Sequence, residues 1–367
     1  MRITQNYTNR TYLKYNNRLL GDLNRSMKKI ESRKAFFRAS EDSINASRAM
    51  SIRSSLRNLD VYDDNLESAK NVYKSAETGY YTLANDIYIE AQTKIETACN
   101  DSFSADDRDI FANELKQYAD SAIETLNAAF AERQIHGGAN NSIPPFATVE
   151  AAALDANGNE ILDENGNTVM KTYVTYNGMR VDDIIKDEQT GELVSRKDNS
   201  KLSGVNPVYV DIGIGISYKK TDNNNYEIDP QTAADVSING AVDTGFGVKK
   251  DDDGNEYSLN FIQIMYDTAA ALEKNDVEFA NGSLDRLSSA RTTVLNSITN
   301  LGAKQNSMDF YIEKNADYRI TLQERQNEVE SIDMEEEIVN MDTTEVVYNA
   351  ILQMSSKIIP RSIFDFI

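Results

Sequence analysis

Apolar residues recur every seven positions through both ends of this chain and every second position in parts of its middle. Leu13, Leu20 and Met27 are seven apart, and Asn16, Leu23 and Ile30 form a second register. Farther on, Ile52, Leu59, Leu66, Tyr73, Tyr80 and Ile87 keep the same interval, with Tyr62, Ala69, Ala76 and Leu83 between them. Such a stripe predicts a helix packed along its length against another helix. One helix over residues 43–98 would be about 80 Å long at 1.5 Å per residue, longer than most globular helices. Ser104, followed by Asp106 and Asp107, predicts the cap of a next helix over 105–135, carrying Ile110, Phe111, Leu115, Tyr118, Ala122 and Leu126 and stopping at Gly137-Gly138. The return block starts near Asn260 and places Leu287, Val294, Leu301, Met308, Asn315, Leu322 and Val329 seven apart, with Ile298 and Ile312 in the second register. Antiparallel pairing of the two blocks is the simplest way to bury both stripes.

Glycine and proline separate these blocks. Residues 1–136 contain two Gly and no Pro, residues 137–254 contain thirteen Gly and four Pro, and residues 255–367 contain two Gly and one Pro. Breakers mark turns, so the middle reads as β. Asn157-Gly158 and Asn165-Gly166 predict hairpins, because both residues of each pair tolerate positive φ. Val208, Val210, Ile212, Ile214 and Ile216 alternate as a half-buried strand does. The expected fold class is mainly α with a β-rich insertion: a long antiparallel helical bundle or coiled-coil rod formed by the N- and C-terminal blocks, with a middle β domain. The expected divisions are an assembly segment at 1–42, an outgoing helical half at 43–136, a β-rich outer domain at 137–256, a returning half at 257–329 and a second assembly segment at 330–367.

Charge changes the picture. The 367 residues are 40% hydrophobic and carry a formal charge of −21. That apolar content is too high for disorder throughout. The charge argues against a nucleic-acid partner, which needs a clustered positive face, and against a polybasic grip on anionic lipid. No stretch reaches the ~18 apolar residues of a membrane span, so no membrane insertion is expected, and no apolar signal-peptide run opens the sequence. The one cysteine, Cys99, permits no intrachain disulfide and reads as a small buried apolar group. Its solitude suits a reducing compartment or a secreted protein without disulfides. Residues 1–40 hold ten Lys/Arg and two Asp/Glu, a net +8, whereas residues 321–367 hold three and ten, a net −7. These complementary ends either pair with each other or form two solvated faces that never meet.

Candidate chemistry is sparse. Asp155, Asn157 and Asn159 fall on positions 1, 3 and 5 of a calcium loop, but Glu160 and Gly166 stand where that loop needs Gly and Glu. The only histidine, His136, reads as a helix-end residue near the carbonyl dipole. No phosphate-binding glycine loop, H-E-x-x-H or paired-cysteine motif is present. A two-carboxylate glycosidase site stays open among so many acids, although the chain has no tryptophan to line it. Met334, Ile338, Met341 and Glu345 share a helical stripe within "DMEEEIVNMD", either a grip for a basic partner or a solvated face. The residues point to no catalytic group, cofactor or metal.

The ends carry a resemblance. "MRIT" at 1–4 and "KIESRKAFFRASEDSINASRAMSIRSSL" at 29–56 resemble the start of the flagellin superfamily, and "RITLQERQNEVESIDMEEEIVNM" resembles its return side. "SIFDFI" at 362–367 is similar to the Ser-Leu-Phe-Asp-Tyr-Ile/Leu ending of the hook–filament junction branch, hook-associated protein 3, and "GGANNSIPPF" favours the same branch. Arg33 departs by standing where the family usually has Gly, and Ala39 and Ser43 stand where Pro is common. The resemblance implies a non-enzymatic structural adaptor of the bacterial flagellum, exported through the flagellar channel without a cleaved signal and therefore extracellular. The implied partners are identical copies in a ring, a hook-side junction protein, flagellin, and an export chaperone on the C-terminal helix. The expected assembly interface comprises Ile3, Leu13, Leu20, Leu23, Met27 and Ile30 on the N-terminal side. On the C-terminal side it comprises Ile338, Met341, Ile351, Met354 and Ile358, then Ile363, Phe364, Phe366 and Ile367. These segments are expected to be largely unfolded in the free monomer and to pair on assembly. A minor flagellin within the filament, and a secreted enzyme or adhesin carried by the middle domain, are the alternatives.

Overall fold

A computed structural model of the chain describes residues 5–100, 102–140, 142–153, 168–188, 190–213, 215–220, 226–229, 232–251, 254 and 256–358. The expected hairpins at Asn157-Gly158 and Asn165-Gly166, the calcium-loop candidates and Ile214 lie outside these residues. The chain divides into two compact units, Met1–Asp60 with Asn315–Ile367, and Val61–Lys314.

Helix α1 (Gln5–Ser32) is followed by α2 (Ser43–Tyr81) and α3 (Tyr88–Ala98), which continue into each other through a π-helical stretch at Thr82–Ile87. The heptad positions Leu59, Leu66, Tyr73, Tyr80 and Ile87 are all buried. Past the π stretch the phase moves by one residue. Ala91 follows buried Leu83 by eight positions rather than seven, and the next buried positions are Ile95 and Ala98. A π turn takes in one extra residue, so it absorbs this skip and keeps the stripe on one face. Arg291 secures the turn. Its Nε donates to the Ala84 carbonyl at 2.7 Å, its Nη2 reaches Asn85 Oδ1 at 3.3 Å, and its guanidinium lies 4.5 Å from the Tyr88 ring centre.

Helix α4 (Ala105–Leu126) begins with the expected cap: Ser104 Oγ accepts from the Asp107 amide at 3.3 Å, and Asp107 accepts from the Ser104 amide at 3.0 Å. It ends at Leu126, not near 135. Asn127 stops it by using its side-chain amide as a strand edge, donating to Phe146 O at 2.7 Å and accepting from Phe146 N at 3.0 Å. The chain then turns back as a small hairpin, β1 (Ala129–Phe130) and β2 (Arg133–Gln134), with Ala131 and Glu132 at φ 49° and 64°. His136 therefore lies beyond a hairpin and not at a helix end.

The middle is a set of short antiparallel pieces. One three-stranded sheet joins β3 (Phe146–Ala152), β4 (Met170–Tyr176) and β5 (Met179–Arg180). Strands β6 (Ile184–Lys186) and β7 (Leu193–Ser195) form a ribbon. The expected strand through Val208–Ile216 is broken: β8 (Tyr209–Asp211) and β9 (Tyr218–Lys220) flank Gly213 and Gly215, which sit at φ 86° and 92°. Those angles leave the extended region, so alternation of apolar residues could not carry the strand through. Strand β10 (Tyr226–Ile228) pairs with β9, and β11 (Ala233–Asp235) pairs with β8. Short helix α5 (Gly240–Thr244) and the pair β12 (Val248–Lys250) and β13 (Glu256–Ser258) complete the region.

Asn260 caps α6 (Phe261–Glu273) by accepting from the amides of Ile262 and Gln263. A turn with Asn275 at φ 58° leads into α7 (Val277–Glu330). Within the Val61–Lys314 unit, Leu287, Val294, Leu301 and Met308 of α7 join Leu66, Tyr73 and Tyr80 of α2 in one core. Buried tyrosines link this core to the middle region. Tyr73 Oη donates to Asp235 O at 2.6 Å, Tyr80 Oη to Asp243 Oδ2 at 2.6 Å, and Tyr176 Oη to His136 O at 2.8 Å. His136 Nδ1 lies 3.0 Å from Tyr80 Oη. Since the Tyr80 proton is committed to Asp243, His136 donates there through Nδ1–H. Burial lowers the His136 pKa from 6.5 to about 3.

Two outcomes are expected. Arg291→Ala leaves the buried Ala84 carbonyl without its donor and should cost about 1–3 kcal/mol. Deleting Asp86 should convert the π turn to an α turn in phase, so the same substitution should cost less in that background. Urea unfolding followed by circular dichroism measures this cycle, and equal costs would refute the role given to Arg291. The second concerns pH. The unfolded chain protonates His136 below about pH 6.5 and the folded chain only near 3, so its contribution is full above the first value and is lost as pH falls towards the second. At about pH 5 the loss is about 2 kcal/mol. Asp243, whose carboxyl burial pushes up, acts in the opposite direction, so the comparison is with His136→Gln. The variant's unfolding free energy should fall less between about pH 8 and about pH 5, by about 2 kcal/mol.

Candidate assembly interface

The basic and acidic ends meet. Helix α8 (Met334–Ile358) runs antiparallel to α1, with Lys29 Nζ 3.4 Å from Glu337 Oε2. The connectors at their joints are tied together: the Ala35 amide donates to Glu330 O at 2.8 Å and the Ile332 amide to Arg33 O at 3.3 Å. Arg33 adopts φ 56°, a left-handed conformation that glycine takes up more readily than other residues. In the same loop Glu41 accepts from the Phe37 amide at 2.9 Å and lies 3.2 Å from Arg25. The Phe37 amide and Arg25 together hold its carboxyl below the usual range.

The seam has its own spacing. On α1 a half-buried line runs through Tyr12, Asn16, Leu19, Leu23, Ser26 and Ile30, flanked by half-buried Thr11 and Lys29, and on α8 the half-buried positions are Met334, Glu337, Met341, Thr344, Tyr348 and Ile351. Both series alternate steps of three and four, the pattern of a coiled-coil contact line. Of the expected interface residues, Leu23, Ile30, Met341 and Ile351 fall on this line. Leu13, Leu20, Met27, Ile338 and Met354 face outward with 55%, 40%, 52%, 41% and 57% of their surface exposed. Glu345 also faces outward, so the stripe read through Met334, Ile338, Met341 and Glu345 does not lie on one buried line. Ile3, Ile363, Phe364, Phe366 and Ile367 lie outside the described residues, as does the side chain of Ile358. The sequence reading missed Tyr12, Leu19 and Tyr348, whose three–four spacing is interrupted by polar Asn16, Ser26 and Thr344. It also missed outward-facing Val339 and Val346.

Among the described residues no side chain of α1 or α8 is fully buried. The seam occupies one face of each helix and leaves a second apolar face on the outside. No group of His, Cys, Asp and Glu among the described residues could hold a metal ion, and no described helix is long and apolar enough to cross a membrane.

Residues 3–135 match the bacterial flagellin N-terminal helical region. No curated protein matches the sequence. Among solved structures, the fold is similar to one assigned to a flagellar hook-associated protein of Vibrio parahaemolyticus, at 14% identity and a TM-score of 0.50, covering 79% of this chain and 100% of that one. FlgL of Bacillus cereus and flagellar hook associated protein-3 of Legionella pneumophila are each 15% identical with a TM-score of 0.43; they cover 76% of this chain, and 99% and 98% of their own. The sequence similarity to the flagellin helical region covers residues 3–135, and beyond it the chain is similar to the Vibrio parahaemolyticus structure in fold.

Proposed function

We propose that this chain is a structural adaptor of the bacterial flagellum, of the hook–filament junction type, and that it works by packing its terminal helices against neighbouring subunits. One observation carries the reading: two paired helices of 28 and 25 residues hold apolar residues on more than one face and have no fully buried described side chain. A monomer seldom leaves so much contiguous apolar surface open. Each exposed Leu or Met gains about 1.5–3 kcal/mol on full burial, so neighbours supply most of the driving force for this region. The partners on this reading are identical copies, a hook-side junction protein on one side, flagellin on the other, and a chaperone that covers the C-terminal helix before export. The protein would then act outside the cell, and its work is mechanical rather than catalytic.

The outward stripe gives the test. Leu13→Lys, Leu20→Lys and Met27→Lys together change exposed positions, so the monomer's unfolding free energy should move by about 0.5 kcal/mol or less per site. Attachment of filaments to hooks in cells carrying only this variant should be lost. Normal filaments, or a monomer that no longer folds, would reject the interface. Cryo-microscopy of tagged wild-type flagella should place copies in one band at the filament base; copies along the whole shaft would make the chain a filament subunit instead.

A further inference from the structure

Lys171 of β4 and Asp267 of α6 are held together by more than their own attraction. Lys171 Nζ lies 2.9 Å from Asp267 Oδ1, one bond from the carboxyl carbon Cγ, and the Asp267 side chain keeps only 9% of its surface exposed. Gln263 stands one turn before Asp267 on α6. It accepts from the Val174 amide and donates to Thr172 O, which seats α6 along the edge of β4. The same Gln263 Nε2 donates to Asp267 Oδ1 at 2.7 Å. A third acid faces the pair. Asp182 lies in the 3₁₀ turn Val181–Asp183 that follows β5. It accepts from the Ser258 hydroxyl, while its buried Oδ1 has no hydrogen-bond donor. An ion pair gains nothing from a second acid and an orphaned oxygen beside it, and both cost free energy.

Amine, carboxyl, amide donor and a spare buried acid are together the parts of a condensation. Burial pushes the Asp182 carboxyl well above its usual range and the Asp267 charge adds to the rise, against the Ser258 hydrogen bond and the Lys171 charge. A carboxyl raised in this way gains and loses its proton more readily near neutral pH, as a general acid–base must. Burial draws the Lys171 pKa down, but the charges of Asp267 and Asp182 draw it up by more, so the amine starts as an ammonium and must first give up a proton. We propose that Lys171 and Asp267 join covalently in a spontaneous amide (isopeptide) bond between Nζ and Cγ, with Asp182 carrying the protons. The ammonium gives one proton to the Asp182 carboxylate. The free amine attacks Cγ, and the charge that develops on Oδ1 is met by the Gln263 amide. Asp182 passes that proton, and then the second one the nitrogen sheds, to Oδ2, which leaves as water. One ammonium and one carboxylate become one amide and one water, and Asp182 ends as the carboxylate it began as. Fixed approach drives a step that is unfavourable between free molecules in water, since effective molarities of such pairs reach about 10⁵–10⁸ M. The bond ties strand to helix in a chain whose one cysteine permits no intrachain disulfide. It lies within the Val61–Lys314 unit and does not depend on the adaptor reading.

Mass spectrometry of the full-length protein under denaturing conditions tests this. The wild type should be lighter than its sequence by the mass of one water, and its digest should contain a branched peptide joining Lys171 to Asp267. Asp182→Asn keeps the pair but removes the proton carrier, and Lys171→Arg keeps the positive charge but removes the attacking amine. Both variants should show the full mass of their sequences and no branched peptide. A wild-type protein at full mass, or a branch at a different acid, would overturn the proposal whether or not the variants fold. Complete bond formation in Asp182→Asn would overturn the part given to Asp182.

Discussion

Burying a polar group without a partner costs more than the bond itself contributes, and this constraint organises the Val61–Lys314 unit. A heptad stripe built from Leu and Ala would pack two helices and stop there. Tyr73 and Tyr80 put hydroxyls into the same stripe, and each needs an acceptor that the helices cannot supply. Asp235 O and Asp243 Oδ2 supply them, so the middle region is fixed to the helical core at defined points. Amides do the same from the other side. Gln263, fully buried, accepts from the Val174 amide at 2.7 Å and donates to Thr172 O at 3.0 Å, completing the edge of β4. Asn260 caps α6 while its Nδ2 holds Gly245 O at 2.7 Å. The β pieces are mostly two or three residues long, too short to stand alone, and these polar links give them a frame.

The same constraint explains where reading the sequence succeeded. Periodicity depends on which face is buried, and it named Leu66, Tyr73, Leu287, Val294, Leu301 and Met308 correctly. Caps depend on neighbours within three residues: Ser104 was legible as a cap, and Asn260 only as the start of the return block. The end of α4 was not, because Asn127 stops the helix through Phe146, a residue nineteen positions away. His136 misled for a like reason: nothing adjacent to it announces Tyr80 or Asp243. The π turn was not read either: one unbroken helix was expected over 43–98. The heptad reading stopped at Ile87, and the step from Leu83 to Ala91 shows only in which residues are buried; Arg291, distant in sequence, shows how the backbone there is satisfied.

At the terminal helices the complementary charge was legible and the line of contact was not. Opposite charge predicted that α1 and α8 could meet, and they do. The all-apolar register Leu13, Leu20, Met27 drew the eye, yet the seam follows Tyr12, Asn16, Leu19, Leu23, Ser26 and Ile30. A line that admits Asn and Ser is a weaker contact than the apolar line beside it, and a polar residue on a seam fixes register at a cost in stability. The better apolar line stays outside.

That distribution is the reverse of what a self-sufficient hairpin would choose, and it bears on how such a chain could pass from solution into an assembly. A strong internal seam would bury Leu13, Leu20 and Met27 and leave polar residues outward; the monomer would be stable and nothing would drive association. A weak seam with a basic helix against an acidic one selects the right pairing through charge, as complementary fields steer encounter more than they add affinity. The larger apolar contribution is then released only when further subunits cover the outward stripe. Ordering long helices costs conformational entropy; on the proposed adaptor reading that cost is met at the interface, and stability of the region then depends on how many neighbours are present. The densely packed tyrosine core buries its own stripe and on the same reading needs no such neighbours.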